Sequence, residues 1–194
     1  MKKRINLIGI GTDGSRSLTQ EAREQIQKST VLIGAKRMLQ SVEPIRKKEV
    51  RCYASYCPEE IMVILEQAKE EEISVLFSGD PGFYSGAKQL TKRLEESGWE
   101  IRVIPGISSV ICMAARCQVP WERAALVSLH GTGQNAVYEI CTHEHTFLLL
   151  GGKETAERFL EKMSWYGLDY LEAAAGRELS YEEEVFFHGT IREL

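Results

Sequence analysis

Glycine-bearing loops hold most of the residues in this sequence that could do chemistry. Five of them follow short apolar segments: GIGTDG (9–14), SGDPGFYSG (78–86), PGISS (105–109), LHGTG (129–133) and LGGK (150–153). A glycine loop after a strand exposes backbone N–H and C=O groups to a ligand. Glycine is also the ordinary turn residue, so each loop taken alone is better explained as a turn. Together the five predict one binding crevice at the carboxyl ends of parallel strands.

The first loop has the GxGxxG spacing of a dinucleotide-binding loop. In such a loop the next helix begins within the motif, and its N–H groups hold the pyrophosphate. Here residues 14–17 delay the helix, and Gly34 stands where an acidic ribose ligand is expected. An NADP-dependent oxidoreductase, with Lys36 and Arg37 on the 2′-phosphate, therefore remains an alternative that rests on this spacing alone.

The second loop combines a Gly-Asp-Pro turn with two aromatic residues. Asp80 can form the turn or contact a ligand, since a carboxylate accepts several hydrogen bonds. Phe83 and Tyr84 offer a surface for a flat heterocycle. Tyr84 also shares a helical spacing with Ala87 and Leu90, which favours a place in the core.

The elements that must position these loops alternate between strand and helix. RINLIGIG, TVLIG, KEVRCYA, EEISVLFSG and WEIRVIPG are predicted strands, and segments of helical periodicity separate them. This alternation predicts a mostly parallel sheet of the α/β class. The first helix buries Leu18, Ala22 and Ile26, and Ser17 with Gln20 forms a plausible capping box at its start.

The periodic pattern breaks at RCQVPWER, which predicts two domains, residues 1–117 and 118–194. The second domain has predicted strands AALVSLHG, HTFLLLGG, DYLEAAAG and EEVFFHG and helices at 134–141 and 154–165. Its last two strands follow each other without a helix, which indicates an antiparallel pair.

Composition excludes several classes of protein. The 194 residues, 43% of them hydrophobic, are enough for a buried core, and a net charge of −4 argues against nucleic acid as a partner. No apolar run is long enough for a membrane span or a signal peptide, so a cytoplasmic location is expected. Cysteine is odd in number and forms no CxxC pair, and His143 and His145 lack a third ligand nearby. Neither a disulfide framework nor a metal site is predicted.

Three stretches in combination resemble the tetrapyrrole methylase family: GIGTDG, SGDPGFYSG and IPGISSVICMAARCQVPWERAALVSLHG. Within it, VLIGAKRML, the LHG strand end and the closing GRELSYEEEVFFHGTIREL resemble the members that methylate C-5 of cobalt-precorrin-7. The resemblance covers essentially the whole chain. It implies two α/β domains with an active-site trough between them, a homodimer, and S-adenosylmethionine as methyl donor, converted to S-adenosylhomocysteine in cobalamin biosynthesis. It also implies a tetrapyrrole substrate and a functional partner, the C-15 methylating, decarboxylating subunit.

The resemblance also assigns roles to individual residues. The implied cofactor contacts are Ser78, Gly79, Asp80, Phe83, Ser108, Ser109, Leu150 and Gly176. The implied substrate contacts are Gly9, Gly11, Thr12, Asp13, Gly14, Lys36 and Arg37, with Thr12 close to the transferred methyl. Further basic candidates for the substrate carboxylates are Arg16, Arg116, Lys153 and Arg177.

The sequence departs from the wider family in two places. Thr12 replaces a proline, and no acidic residue stands near Gly34, where other members have one. The second departure removes an obvious general base, so no catalytic base is assigned. A non-catalytic subunit that binds cofactor or tetrapyrrole for a partner methylase is therefore a third possibility.

Overall fold

Strands and helices alternate along the first part of the chain, and all the strands join one sheet. The structure is a computed structural model that describes residues 3–69, 72–129 and 134–194. The elements are β1 (Arg4–Gly9), α1 (Gln20–Lys28), β2 (Val31–Gly34), α2 (Lys36–Ser41), β3 (Arg51–Ala54), α3 (Pro58–Gln67), β4 (Ile73–Phe77), α4 (Ala87–Glu96) and β5 (Glu100–Ile104). The strand order is β3-β2-β4-β1-β5, and every pair is parallel. The predicted parallel α/β sheet is confirmed.

Helices cover both faces of this sheet. Helices α3 and α4 pack Ile61, Leu65, Leu90 and Leu94 against one face. Helices α1 and α2 pack Ala22, Ile26 and Leu39 against the other. Strands β1 and β2 are therefore buried along almost their whole length, which explains their continuous apolar runs. The carboxyl ends of the strands, with the loops that follow them, are left to form one edge.

Helix α1 does not begin as the sequence predicted. Its N-cap is Thr19, whose Oγ1 accepts a hydrogen bond from the N–H of Ala22 at 3.1 Å. The capping box at Ser17 and Gln20 is wrong, because Ser17 lies two residues before the cap. The hydroxyl of Ser17 instead accepts from the N–H of Asp13 at 3.1 Å and donates to the carbonyl of Ile10 at 3.4 Å. Ser17 thus fixes the glycine loop rather than the helix.

The second part of the chain contains α5 (Ser109–Cys117), β6 (Ala125–Ser128), α6 (Ala136–Thr142), β7 (Thr146–Leu149), α7 (Lys153–Trp165), β8 (Glu172–Arg177) and β9 (Val185–Thr190). Strands β6 and β7 pair in parallel, and β8 and β9 pair antiparallel as predicted. Its buried cluster is formed by Val127, Ala136, Phe159, Met163 and Ile191.

The chain divides into two units, Met1–Ser109 and Val110–Leu194. The division lies at the first turn of α5, whereas the sequence-based boundary after Cys117 lies at the other end of that helix. All five cysteines are free thiols, and burial raises the pKa of Cys117. None of the helices in the described ranges has the length and apolar character needed to cross a membrane.

Candidate functional site

Three glycines bring the ends of three neighbouring strands into backbone contact. Gly9 ends β1, Gly79 follows β4 and Gly106 follows β5. A Cβ placed on Gly9 would lie 2.6 Å from both the nitrogen of Gly106 and the carbonyl oxygen of Gly79. A Cβ on Gly106 would collide with the same oxygen of Gly79 and lie 2.7 Å from the carbonyl carbon of Gly9. We call Gly9, Gly79 and Gly106 the glycine junction, because no side chain fits at Gly9 or Gly106 and Gly79 has a positive φ that favours glycine.

A pair of backbone hydrogen bonds locks the first two loops together. The N–H of Gly11 donates to the carbonyl of Gly79 at 3.1 Å, and the N–H of Gly79 donates back at 2.8 Å. Both residues have positive φ, +71° and +66°, a conformation that favours glycine. The glycines of these two loops therefore serve a specific close approach rather than ordinary turns.

Asp80 connects the second loop to the third. Its Oδ1 accepts a hydrogen bond from the N–H of Gly82 at 2.7 Å, and its Oδ2 accepts one from the N–H of Gly106 at 3.1 Å. The side chain therefore stabilises the turn of the second loop and also links the second loop to the third. Each oxygen keeps a second lone pair that a ligand could use.

The two aromatic residues of the second loop contact each other and are at least partly exposed. The rings of Phe83 and Tyr84 meet edge to face, with their centroids 5.0 Å apart. Tyr84 has a φ of +43°, lies before the start of α4 and is 44% exposed. Its predicted place on the buried stripe of that helix is wrong, because the positive φ turns the chain before the helix begins.

The remaining predicted contacts of the first unit lie at the same edge of the sheet. Ser78 is exposed, and Ser108 is buried next to Gly79, whose added Cβ would lie 3.6 Å from the Cα of Ser108. Ser109 is the first residue of α5. Lys36 and Arg37 are exposed at the start of α2, directly after β2.

The first loop rests on α2. Thr12 is buried, and a Cβ on Gly14 would lie 2.5 Å from the Cβ of Ser41. Asp13 has a side chain only 6% exposed, and its Oδ2 pairs with the Nε of Arg16 at 3.1 Å. Its Oδ1 is buried and has no hydrogen-bond partner. The predicted substrate loop therefore carries a carboxylate that is only half satisfied.

In the second unit the two predicted cofactor contacts, Leu150 and Gly176, lie at different elements. Leu150 follows β7 and is 39% exposed. Gly176 lies on β8 opposite Phe186, and a Cβ there would lie 2.6 Å from the side chain of Leu179. Gly176 also lines an open hollow of about 280 Å³ with residues of β8, β9 and the carboxyl terminus.

A second hollow of the same unit contains none of the predicted residues. It has a volume of about 550 Å³ and is lined by α7 and the carboxyl terminus. Arg192 and Asp169 form a two-bond ion pair there, at 3.0 Å each, and the hydrogen bonds from Arg192 lower the pKa of Asp169. This pair closes the end of the chain onto α7 and needs no ligand to explain it.

Some predicted basic contacts have protein partners. Arg116 pairs with Glu184 at 2.8 Å, and Lys153 pairs with Glu157 at 3.6 Å. These two side chains serve local ion pairs on the surface. Part of the LHGTG loop, residues 130–133, lies outside the described residues.

Sequence reasoning missed two residues of this site. Gly106 completes the glycine junction, and Ser17 holds the backbone of Asp13. A glycine directly after a predicted strand was the available signal for Gly106. No signal in the sequence indicated that Ser17 holds the first loop, because the pattern around it predicted a helix cap instead.

Comparisons with known proteins identify a family for the sequence and the fold. The sequence matches the family model described as Tetrapyrrole (Corrin/Porphyrin) Methylases over residues 4–194. A probable cobalt-precorrin-7 C(5)-methyltransferase of Methanocaldococcus jannaschii is 27% identical over 80% of this chain and 75% of its own length. A precorrin-6Y C(5,15)-methyltransferase of Sinorhizobium sp is 32% identical over 66% of this chain. The match spans only 30% of that relative's length.

Solved structures share the fold over almost the whole chain. A precorrin-6Y methylase (cbiE) from Archaeoglobus fulgidus has a TM-score of 0.75 and 25% identity, covering 98% of this chain and 91% of its own. A uroporphyrin-III C-methyltransferase from Thermus thermophilus, complexed with S-adenosylhomocysteine, has a TM-score of 0.78 and 20% identity, covering 98% and 84%. With the family model matched over residues 4–194, the resemblance read from the loops is confirmed, and the chain belongs to the tetrapyrrole (corrin/porphyrin) methylases.

Proposed function

We propose that this protein is an S-adenosylmethionine-dependent methyltransferase that methylates C-5 of a precorrin in cobalamin biosynthesis. The observation that carries the proposal is the glycine junction, where three neighbouring loops present backbone groups and no side chain at the carboxyl edge of a parallel sheet. The family membership, and the C(5)-methyltransferase activity for which the relative from Methanocaldococcus jannaschii is named, support the reaction and the ring position.

The cofactor would lie on the second and third loops. Ser78, Gly79 and Asp80 offer polar backbone and carboxylate groups, and Phe83 offers a ring for the adenine. Ser108 and Ser109 border the same loops, and Leu150 and Gly176 are the proposed contacts of the second unit. Polar backbone groups and one carboxylate next to an aromatic ring suit a cofactor that joins a charged amino-acid end to a flat adenine.

The tetrapyrrole would lie against the first loop, residues 9–14. Its carboxylates would meet Lys36 and Arg37, which are exposed at the same edge of the sheet. A sulfonium methyl is already activated, so transfer to a ring carbon depends mainly on alignment, and orientation contributes on the order of 7–11 kcal/mol. The loops held rigid by the Gly11–Gly79 hydrogen bonds are suited to this task.

Calorimetric titration with S-adenosylhomocysteine, and in parallel with NADPH, tests the cofactor. We expect micromolar binding of S-adenosylhomocysteine alone. The GxGxxG spacing supports the oxidoreductase less well in the structure, because α1 begins only at Gln20 and Gly11 is paired with Gly79. Binding of NADPH alone would overturn the proposal.

A turnover assay of the isolated protein tests the reaction. Cobalt-precorrin-7 and its metal-free counterpart are each offered with methyl-labelled S-adenosylmethionine, and label is expected at C-5 of at least one of them. Cofactor binding without any label transfer would indicate a non-catalytic binding subunit.

The double variant Lys36→Ala/Arg37→Ala tests the substrate side. We expect weaker tetrapyrrole binding in a fluorescence titration and unchanged affinity for S-adenosylhomocysteine. Lys88→Ala/Lys92→Ala on α4 removes the same charge from exposed positions and is the matched control. Equal tetrapyrrole affinity of the two double variants would contradict the assignment.

A further inference from the structure

The reaction proposed above releases one proton for each methyl transferred. The new bond joins the methyl to the ring carbon, and the carbon–sulfur bond breaks with its electron pair left on sulfur. The sulfonium thereby loses its positive charge, and the ring system gains it. A proton must leave the methylated ring to restore neutrality, so a nearby acceptor would assist the step.

Asp13 is the carboxylate of the first loop, which is proposed to border the tetrapyrrole, and one of its two oxygens has no hydrogen-bond partner among the described residues. Its side chain is 6% exposed, and Oδ1 is the only buried carboxylate oxygen of the described residues without a hydrogen-bond partner. Buried polar atoms are nearly always paired, since leaving one unpaired costs free energy. An exception inside a predicted substrate loop points to a group kept for a ligand.

Asp80, the other aspartate of these loops, is already engaged. Both of its oxygens accept backbone N–H groups, from Gly82 and Gly106. Asp13 has only the guanidinium of Arg16, a side chain that is itself 66% exposed. A carboxylate with one partner at the surface loses little when it turns toward a ligand.

The backbone beneath Asp13 is held firmly while its side chain is not. The hydroxyl of Ser17 accepts from the N–H of Asp13, and two residues earlier Gly11 is bonded to Gly79 in both directions. The Cα of Asp13 is therefore fixed next to the loop proposed to hold the cofactor. Its Oδ2 pairs with Arg16, and its Oδ1 has no hydrogen-bond partner in the described part of the chain, so Oδ1 can accept a proton without giving up an existing hydrogen bond.

We propose that Asp13 is a catalytic residue whose carboxylate accepts the proton released from the tetrapyrrole on methyl transfer. This inference rests on the proposed function and supplies the proton acceptor that the sequence did not reveal. Arg16 is then a positioning residue, since its guanidinium guides the carboxylate.

The test uses single-turnover methyl transfer by the full chain at saturating S-adenosylmethionine and precorrin substrate. Asp13→Asn keeps the shape of the side chain and removes its basicity, and we expect the rate constant to fall by about 10²–10⁴-fold. Affinity for S-adenosylhomocysteine and the thermal midpoint are expected to stay close to wild type. Glu24→Gln, an isosteric change at an exposed position of α1, is the control.

Asp13→Ala with added formate separates a proton acceptor from a structural residue. Formate can occupy the space left by the carboxylate, and we expect it to restore a measurable part of the lost rate to Asp13→Ala but not to Asp13→Asn. A rate for Asp13→Asn within threefold of an active wild type would overturn the Asp13 assignment alone. Loss of cofactor affinity and of thermal stability without formate rescue would overturn it in favour of a structural role. An inactive wild type that binds cofactor would overturn both proposals.

Discussion

Asp80 shows what one side chain contributes when it lies between loops. One of its two hydrogen bonds joins residues 26 positions apart in sequence, and hydrogen bonds to a charged group contribute about 1.5–3 kcal/mol each. The same residue type at position 13 has one ion pair and an unpaired oxygen. The difference lies in the neighbouring backbone: N–H groups of Gly82 and Gly106 donate to the Asp80 carboxylate, whereas the N–H of Asp13 donates to the hydroxyl of Ser17 and no backbone N–H of the described residues donates to the Asp13 carboxylate.

Gly106→Ala adds one carbon atom to the glycine junction and tests whether the junction tolerates it. The added Cβ would collide with the carbonyl of Gly79, so the loops must separate. We expect the free energy of unfolding to fall by about 1–3 kcal/mol, the usual cost of overpacking, and affinity for S-adenosylhomocysteine to fall at least about tenfold. Chemical denaturation and calorimetry measure the two effects.

Gly86→Ala is the matched control for this change. Gly86 lies in the same loop region, has a φ of −64°, and a Cβ there would meet nothing within 4 Å. We expect it to leave binding unchanged and stability equal or slightly higher, because alanine restricts the unfolded chain. Wild-type cofactor affinity in Gly106→Ala would show that the junction does not contact the cofactor.

At the scale of elements, the caps of the helices set where the neighbouring loops begin and end. Helix α4 ends before Gly98, which has a φ of +75°, and the N–H of Trp99 returns to the carbonyl of Leu94 at 3.0 Å. Helix α1 begins at Gln20 with Thr19 as its N-cap, which leaves Ser17 to hold Asp13. The length of the first loop is thus set by a cap as much as by its glycines.

Thr19→Ala tests the start of α1. Loss of the cap should lower the free energy of unfolding by about 1 kcal/mol, while Thr19→Ser should retain most of it because serine caps equally well. Urea denaturation measures both variants. An unchanged midpoint for Thr19→Ala, together with a clear loss for Ser17→Ala, would restore Ser17 as the cap.

The strands were predictable from sequence because their apolar runs and terminal glycines are local signals. Gly98 at the end of α4 is a local signal of the same kind, since a left-handed cap needs only one glycine at one position. The role of Ser17 was not predictable, because Ser17 and Thr19 are both good caps and only the tertiary position of the first loop chooses between them. The unpaired oxygen of Asp13 could not be predicted from sequence either, because it depends on which hydrogen-bond donors lie near it in the folded chain.

At the scale of the whole molecule, each of the two units has its own buried cluster. The chain between α5 and β6 has no regular element, and residues 121–123 are exposed. Homodimerisation, the C-15 methylating partner and a cytoplasmic location stay predictions from the sequence.

Limited trypsin digestion tests this organisation. Arg123 lies in the exposed segment, so we expect early cleavage after it and a pair of fragments, residues 1–123 and 124–194, by mass spectrometry. Arg116 is the internal comparison, because its peptide bond lies within α5 and is protected by helical hydrogen bonds. Cleavage after Arg116 before Arg123 would contradict the assignment of α5.

The order of the strands also governs when the sheet can form during synthesis. Strand β1 is synthesised before the other strands of its sheet, and both of its partners come much later: Ile5 lies opposite Ile73 of β4 and Ile101 of β5. Non-local pairing of this kind slows folding, since long loops must close first. Strands β8 and β9, by contrast, pair across a short connection. The nascent chain therefore carries an unpaired, strongly apolar β1 until β4 and β5 have been made, which is the interval when a chaperone would protect it.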